Sequence, residues 1–437
     1  MILVLSACIG VTVERPTRDQ PPDTDPARET GDTSEGGVET LPGLSDTGLS
    51  DTALPDRPPS PPAVATLSCA EAIPTDGKTP CAFRLVDAHG VLVWEGTAGV
   101  GLHGRSSAGF PKPQLALELR DEAGADAPAN LLGTGEEADW LLNGMYVDRA
   151  LLRNKLAYDL YRDLTDDHDW APESEYVEVT YQGEYIGLFT LVERIDRADD
   201  RTPVPADDGT GAAFIVKASE AGIPSSLQYG LWEVVYPSAA AQTPEVIAGV
   251  TARLARMESL LAARDPALWD QIDLDSAVAF VLIEEAFKNN DAFYLSHHVY
   301  VHDDGKLHFA PWDLDLSLGQ PSYNDNENPT TWLAYRPEIV LGMGRIPGFP
   351  ARMASMWAEW RAGGLADDAF DARLTGVVRA LGDAPARNFE RWPIGDIQFS
   401  GYLYAVSSYD EEIARVLAFA HARFAWMDES VGTWSGA

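Results

Sequence analysis

A predicted β-hairpin with aspartates beside its open end constrains this chain more than any other feature. Two strand-like segments, His298–His302 and Lys306–Ala310, are joined by a short link that contains glycine, a pattern typical of a hairpin. Asp291 precedes the first segment, and Asp313 and Asp315 follow the second. Because a hairpin brings its two ends together, we expect these three carboxylates to lie close to one another.

The residues around these aspartates favour a cation-binding role. Hard divalent cations prefer oxygen ligands, and Mg²⁺ in phosphate sites is typically held by one or two carboxylates. In an extended segment Asp313 and Asp315 would point the same way, and two like charges beside Leu314 and Leu316 would be costly without a cation. The alternative is a solvated turn with ordinary surface acids, which the flanking Trp312 and leucines argue against.

Two segments nearer the N-terminus offer groups that could contact phosphates. A glycine-rich link carries Gly104-Arg105-Ser106-Ser107, and glycines let backbone amides approach a phosphate closely. An ordinary flexible loop is the alternative for this link. Lys112 stands just before Gln114–Arg120, whose alternating leucines predict a half-buried strand. Lys112 is either a solvated charge or a phosphate contact, and Lys217 is a second lysine candidate.

A helix is predicted over residues 148–164, because leucines recur every four residues on one face and Asp148 can serve as the N-cap. Arg153 lies at the edge of that leucine face. It could support a phosphate site, or it could pair with an acid such as Asp148 or Glu178.

The remaining pattern predicts strands first and helices afterwards. Glu175–Tyr181 and Tyr185–Val192 read as a second hairpin, which ends at Glu193. After Pro237 the pattern becomes helical. The predicted helices cover residues 243–264, 276–288, 349–361, 366–381 and 408–427, and Asp275 is the predicted N-cap of the second of them.

Three blocks of this sequence together resemble the CotH (spore coat protein H) kinase family of atypical kinases. Trp312–Gly319 is similar to its W-D-x-D-x-x-x-G signature, and Gly104–Lys112 is similar to its G-R-S-S…F-P-K block. Asp148–Asn154 and the hairpin Tyr176–Glu193 resemble its D-R-S-x-x-R-N helix and the hairpin that follows. The blocks span residues 102–320 in the family's order.

The resemblance implies an α+β, protein-kinase-like fold with two lobes, together with ATP and Mg²⁺ or Mn²⁺ as cofactors. It implies that Asp291 orients or accepts the proton of the attacking hydroxyl, 22 positions before Asp313, and that Lys112 contacts the phosphates. The implied nucleotide-binding residues are Arg105, Ser106, Ser107, Lys112, Arg153 and Glu193. The implied metal ligands are Asp313, Asp315 and His298.

One position departs from the family pattern. His298 stands where the family has an asparagine, and histidine prefers softer cations such as Mn²⁺ or Zn²⁺ over Mg²⁺. The chain would therefore use a different metal or bind nucleotide without turnover, unless Asn289 or Asn290 supplies the missing ligand.

The function that the resemblance implies is a surface-anchored protein kinase, which transfers a phosphoryl group from ATP to Ser or Thr of partner proteins. The alternative is a kinase-like adhesion or surface- and coat-assembly protein with little catalytic activity. A metal-dependent hydrolase that uses the same acids is a third possibility, but no nucleophile motif supports it.

The order of segments predicts a domain over residues 64–437, with a β-rich lobe at 64–236 and a helical lobe at 237–437. The catalytic loop and metal motif occupy 284–319 of the second lobe. Residues 9–63 are rich in Pro, Asp and Thr and lack a hydrophobic period, which predicts a disordered tether. Residues 1–8 end in Leu-Ser-Ala-Cys, which resembles a lipobox, so Cys8 would attach an exported chain to a membrane.

The composition limits the kinds of partner that this chain is expected to bind. The formal net charge of −36 argues against a nucleic-acid-binding surface, because such surfaces need a basic stripe. Of the three cysteines, Cys69 and Cys81 flank a short polar loop and would most simply pair with each other in an exported protein.

Overall fold

The computed structural model describes residues 60–166, 168–198, 201–225, 230–293, 296–322, 326–333, 336–395, 397–399 and 402–434, with backbone alone at 397–399, 402 and 403. The predicted signal segment and nearly all of the predicted tether lie outside the described residues. The described residues belong to one compact unit.

Seven strands of the N-terminal half form a closed β-barrel. The strands of this half, in chain order, are β1 (Ala63–Cys69), β2 (Thr79–Val86), β3 (Leu92–His103), β4 (Gln114–Arg120), β5 (Ala129–Asn130), β6 (Glu136–Glu137), β7 (Asp139–Asn143), β8 (Ser174–Tyr181) and β9 (Glu184–Glu193). The barrel order is β1-β2-β3-β4-β7-β9-β8, and parallel pairing of β8 with β1 closes it. The strands from β2 to β4, β8 and β9 were predicted from the sequence, but their closure into a barrel was not.

The period of two along these strands explains the barrel core. Leu67, Phe83, Leu117, Trp140 and Phe189 are buried and belong to one apolar cluster contributed by the barrel strands. Residues next to some of them point the other way, as alternation along a strand requires. Cys69 and Cys81 form the expected disulfide, which links the paired strands β1 and β2.

The opposite faces of the barrel strands join a second and larger core. Leu141, Tyr176, Leu188 and Val192 belong to the cluster that is otherwise filled by the helices. The β-rich and helical parts therefore share one continuous core. The structure shows the predicted α+β composition, and it does not by itself define two separate lobes.

A second sheet carries the predicted aspartate hairpin. Its strands are β10 (Ile215–Ser219), β11 (Ile223–Pro224), β12 (Leu231–Tyr236), β13 (His297–Val301) and β14 (Leu307–Pro311), in the order β11-β12-β10-β13-β14. The antiparallel pairing of β13 with β14 confirms the predicted hairpin. A short pair, β15 (Ile397–Phe399) and β16 (Tyr402–Tyr404), lies near the C-terminus.

The described helices are α1 (Arg153–Leu164), α2 (Pro244–Ala263), α3 (Leu274–Phe287), α4 (Glu338–Gly344), α5 (Phe349–Arg361), α6 (Asp367–Leu381), α7 (Ala384–Arg391) and α8 (Tyr409–Ser430). The five helices predicted after Pro237 are confirmed as α2, α3, α5, α6 and α8. The short helices α4 and α7 were not predicted. No helix in the described ranges combines the length and the apolar content needed to cross a membrane.

Two predicted helix starts were wrong. The helix predicted from Asp148 begins at Arg153, because the Asp148 carboxylate accepts hydrogen bonds from the backbone N–H groups of Ala150, Leu152 and Arg153 and holds a loop there. Helix α3 is capped by Asp273, whose side chain accepts the Ser276 N–H, and not by Asp275.

Candidate active site

The open end of the β13–β14 hairpin faces a cavity of about 550 Å³, a volume that suits a nucleotide-sized ligand. The glycine-rich link after β3 lies on one side of it, and strand β10 contributes another wall. Of the candidate site residues predicted from the sequence, those that line the cavity are Arg105, Ser106, Ser107, Lys217, Asp291, His298, Asp313 and Asp315. The predicted convergence of the three aspartates is therefore confirmed.

These aspartates share an environment that disfavours their charges. Burial, and then the nearby charge of Asp313, raise the pKa of Asp291 to about 7. Burial raises the pKa of Asp313 to about 6. Burial, together with the charges of Asp313 and Asp291, holds the pKa of Asp315 well above its usual range. Each carboxylate thus raises the cost of ionising its neighbours.

A fourth acid, Glu284, lies close to this group and was not predicted from the sequence. It is completely buried on α3, and burial raises the pKa of its carboxyl well above the usual range, with the charge of Asp313 adding to the effect. The available signal was the pair Glu284 and Glu285 in an otherwise apolar helix. Glu285 has a different role, because it pairs with Arg423 at 3.1 Å in the helical core.

The segment that carries Asp313 and Asp315 is a loop, so the expectation of an extended segment was wrong. Strand β14 ends at Pro311, and Asp313 has a φ of 62°, in the left-handed region that aspartate tolerates better than most residues. Helix α1 holds this loop, because the Asp313 N–H donates to Tyr158 Oη at 3.1 Å and the Leu314 N–H donates to Asn154 Oδ1 at 2.6 Å.

Asn289 ties the loop of Asp291 to the loop of Asp313. Its Nδ2 group donates to Glu284 Oε2 at 2.9 Å and to the Asp313 carbonyl at 3.2 Å, while its Oδ1 accepts the Asp291 N–H at 3.3 Å. Asn289 is buried and is not part of the cavity wall. Its contacts make it a positioning residue for two aspartates.

Two polar atoms of the cavity wall fit a cation or a substrate hydroxyl. Asp291 Oδ1 and His298 Nδ1 are buried and have no hydrogen-bond partner within the described ranges. Burial, and then Lys217, hold the pKa of His298 well below its usual range, so the imidazole is neutral and keeps its lone pair. Clustered carboxylates with a neutral imidazole are a donor set that suits a divalent cation such as Mn²⁺.

Basic side chains also line this cavity. Arg105 pairs with Glu220 at 2.8 Å, and Lys217 pairs with Glu233 at 3.2 Å. Arg194 was not predicted, although it directly follows the predicted Glu193. His103 lines the same cavity, and burial, followed by the charges of Arg194 and Lys217, lowers its pKa to about 4.

Lys112 does not line this cavity. Its ammonium group donates to the Leu188 carbonyl and, at 2.7 Å, to Asn388 Oδ1, and it lies 4.8 Å from the centre of the Phe189 ring. Burial, and then Arg149, hold the pKa of Lys112 well below its usual range. Its phosphate-binding role stays a prediction, and its position gives that role no support.

Arg153 is also away from the cavity wall. Its guanidinium contacts Asp148 at 2.6 Å and Glu412 at 2.7 Å, and its Nε donates to the Ser317 carbonyl at 2.8 Å. The structure thus favours pairing with Asp148 over pairing with Glu178. Since Ser317 closely follows Asp315, Arg153 holds the aspartate loop from the side that faces away from the cavity.

Glu193 has internal partners as well. Its carboxylate lies 3.2 Å from Arg201 and accepts the Glu173 N–H at 2.8 Å. Burial raises the pKa of Glu193 to about 7 against the effects of these partners. Like Lys112 and Arg153, it does not line the cavity, and its predicted contact with nucleotide stays a prediction.

Comparison with known proteins agrees with this arrangement. The model of the family described as CotH kinase protein matches residues 100–427, which include the glycine-rich link, the aspartate hairpin and most of the helices. No curated protein matches the chain. Since the family model covers well over half of the sequence, this chain belongs to the CotH kinase protein family.

Proposed function

We propose that this protein is a kinase-like phosphotransferase, which binds ATP with a divalent cation in the cavity and transfers the γ-phosphoryl group to a serine or threonine of a partner protein. The observation that supports this most strongly is the meeting of three acids and His298 with Arg105, Arg194 and Lys217 around one cavity of about 550 Å³. A metal ion needs the acidic side chains, and the polyanionic phosphate chain that it accompanies needs the basic ones. Binding of both together therefore requires the two kinds of side chain around one cavity.

The acidic and the basic side chains of the cavity have distinct roles in this proposal. Asp313, Asp315 and His298 would hold Mg²⁺ or Mn²⁺, which neutralises charge on the phosphates when it is bound. Lys217 and Arg194 would contact the phosphates, while Arg105, Ser106 and Ser107 would cover them from the glycine-rich link.

Asp291 is the proposed acceptor of the hydroxyl proton. A pKa of about 7 leaves a large fraction of Asp291 ionised at neutral pH while the carboxylate remains basic enough to accept a proton. Its Oδ1 atom, unpartnered in the described part of the chain, is available to a substrate hydroxyl.

The proposal also assigns the two lobes. The β-barrel with its glycine-rich link would act as the β-rich lobe over the nucleotide, and the second sheet with helix α3 would present the acids from below. This division follows the protein-kinase-like arrangement expected from the sequence, within a single compact unit.

The direct test is transfer of labelled phosphate from ATP to serine- and threonine-containing proteins, with Mg²⁺ and Mn²⁺ compared. We expect Asp291→Asn to reduce the rate by about 10²- to 10⁴-fold, the usual contribution of a positioned acid or base. Asp303→Asn, which changes an aspartate in the hairpin turn away from the cavity, is the matched control and should retain the rate. Equal rates for Asp291→Asn and the unaltered chain would exclude the proposed mechanism.

A kinase-like adhesion or coat-assembly protein with little activity is the second candidate. The position of Lys112 favours it, because the lysine that the family resemblance assigns to the phosphates is bound inside the protein. Thermal unfolding with ATP and Mn²⁺ separates two outcomes. Stabilisation without phosphoryl transfer would support a non-catalytic nucleotide-binding protein, and no stabilisation by any nucleotide and metal would support the adhesion role.

We further propose that the chain is exported and anchored to the cell envelope through a lipid on Cys8. The disulfide between Cys69 and Cys81 supports export, since disulfides persist in oxidising compartments. Mass spectrometry of the N-terminal peptide from membrane fractions tests the anchor. An unmodified Cys8 in a soluble chain would contradict it.

A further inference from the structure

A cluster of histidines and aspartates lies at the turn of the β13–β14 hairpin, away from the cavity. Three of the chain's eight histidines meet there, with ring centres 4.4 Å apart for His302 and His308 and 5.1 Å apart for His168 and His308. The open end of the hairpin is about 13 Å away, since each strand residue adds about 3.3 Å. The cluster shares no residue with the candidate active site.

His308 is held in one orientation at the centre of this cluster. It is completely buried, and its Nδ1 lies 2.7 Å from Asp169 Oδ1, so Nδ1 carries the proton and donates it to that carboxylate. Its Nε2 is the ring nitrogen that is left to face the hairpin turn. A carboxylate on one ring nitrogen is the usual arrangement behind a histidine that binds metal through the other nitrogen.

The Nε2 atom of His308 faces a second carboxylate, that of Asp304. Asp304 Oδ2 lies 3.5 Å from His308 Nε2, and Asp304 Oδ1 lies 3.6 Å from His302 Nδ1. Electron-rich atoms therefore converge from three side chains of one turn.

The spacing of these atoms matches a metal site. Two ligands about 2.1 Å from Zn²⁺ at the tetrahedral angle are about 3.4 Å apart, close to both distances in this turn. One ligand atom from each of His302, Asp304 and His308 lies within 4.8 Å of the others. Imidazole nitrogens with a single carboxylate favour Zn²⁺ and similar transition metals over Mg²⁺ and Ca²⁺.

We propose that His302, Asp304 and His308 form a binding site for a transition-metal ion of the Zn²⁺ type, in which Asp169 orients His308. Because Asp304 and His302 are partly exposed, the fourth ligand position is open to water. Asp169 comes from the segment before β8, 139 positions from His308, so the bound ion fixes the hairpin turn through His308 against a distant part of the chain. His168 is not assigned as a ligand, because its Nδ1 lies 3.6 Å from Asp169 Oδ2, which is on the Nδ1 side of His308 and not on the Nε2 side.

The test is titration of the full chain with Zn²⁺ by calorimetry and with Co²⁺ by visible absorption. The chain carries Cys8→Ser, Asp313→Asn and Asp315→Asn, which remove the thiol outside the disulfide and the acidic pair of the cavity. We expect one ion per chain and a tetrahedral Co²⁺ spectrum. His302→Ala and Asp304→Asn should each weaken binding at least tenfold, and Asp169→Asn should weaken it by about 10- to 100-fold.

His421→Ala is the matched control, since His421 forms a similar, partly exposed pair with Asp371 at 2.7 Å. It should leave Zn²⁺ affinity unchanged. Absence of Zn²⁺ binding would overturn the proposal. So would His302→Ala and Asp304→Asn variants that bind Zn²⁺ as tightly as the chain without these two changes. Both of these side chains are partly exposed, so the conclusion does not depend on whether the buried Asp169→Asn variant folds. The result is also independent of the proposed kinase function, because Asp313 and Asp315, the proposed acidic metal ligands of the cavity, are already removed.

Discussion

Two buried charge clusters lie on either side of the Asp313 loop, and they differ in how their charges are balanced. Behind the loop, Arg153 contacts both Asp148 and Glu412, and Tyr404 donates a hydrogen bond to Glu412. In front of it, Asp313 and Asp315 share the cavity wall with Asp291, above the buried Glu284. The first cluster is satisfied within the protein, whereas the acids of the second cluster form no ion pair among the described residues.

The difference separates a structural role from a functional one. Buried ion pairs with good geometry persist because each charge has a partner, and removal of one partner is costly. Acids that raise one another's pKa are costly as they stand, and they persist where a ligand supplies the missing charge. The four predictions that follow test this contrast.

The largest expected effect is the loss of the balanced cluster. Arg153→Met should lower the free energy of unfolding by about 3–5 kcal/mol, because Asp148 and Glu412 would remain buried without their partner. Denaturation by urea measures this change. Arg387→Met, which removes an exposed pair with Glu178, is the control and should cost at most about 1 kcal/mol. A similar cost for both variants would show that the Arg153 cluster is not structural.

In the acidic cluster, by contrast, a substitution is expected to raise the free energy of unfolding. Asp313→Asn removes a buried charge and keeps a residue that tolerates positive φ, so it should raise the metal-free free energy of unfolding at pH 8. A pKa raised from 3.8 to about 6 corresponds to about 3 kcal/mol at that pH. The same variant should lose stabilisation by Mn²⁺. A destabilised Asp313→Asn protein would mean that these carboxylates are balanced internally.

The third prediction concerns pH and metal together. The folded-state pKa values of Asp291 and Asp313 lie above their unfolded values, so the stability they contribute is fully present below about pH 4 and is lost as the pH rises through about 6 and 7. A divalent cation competes with these protons, so its stabilising effect should grow between pH 5.5 and pH 8, to about 2 kcal/mol. Thermal unfolding with and without Mn²⁺ at both pH values measures the change. A larger effect at pH 5.5 would contradict the assignment.

The smallest effect compares two lysines. Lys217→Ala should weaken nucleotide binding about tenfold, which is about 1.4 kcal/mol, with little change in stability, because Lys217 lies partly exposed on the cavity wall. Lys112→Met should lower stability and leave nucleotide affinity nearly unchanged, since the Lys112 ammonium group donates hydrogen bonds to the Leu188 carbonyl and to Asn388 Oδ1. Calorimetry with ATP and Mn²⁺ distinguishes them. The reverse pattern would restore Lys112 as the phosphate contact.

Local patterns predicted much of this protein because local chemistry determines local structure. The helices after Pro237 follow from their caps and apolar spacing, as in α2, where Thr243 Oγ1 accepts the Val246 N–H. The hairpin between Asp291 and Asp313 follows from two strand-like segments around a glycine-containing turn. Its geometry alone implied that the flanking acids meet.

Side-chain partners far apart in sequence could not be predicted in this way. The motifs placed Lys112 and Arg153 among the nucleotide contacts, but an amide on α7 and a carboxylate on α8 bind them instead. Asp169 meets His308 across 139 positions, and β8 closes the barrel against β1. By itself the sequence determined the hairpin, most of the helices and the convergence of three acids, because neighbouring residues specify these features. Only the tertiary structure decided which cations face those acids, because burial and partner choice depend on packing between distant segments.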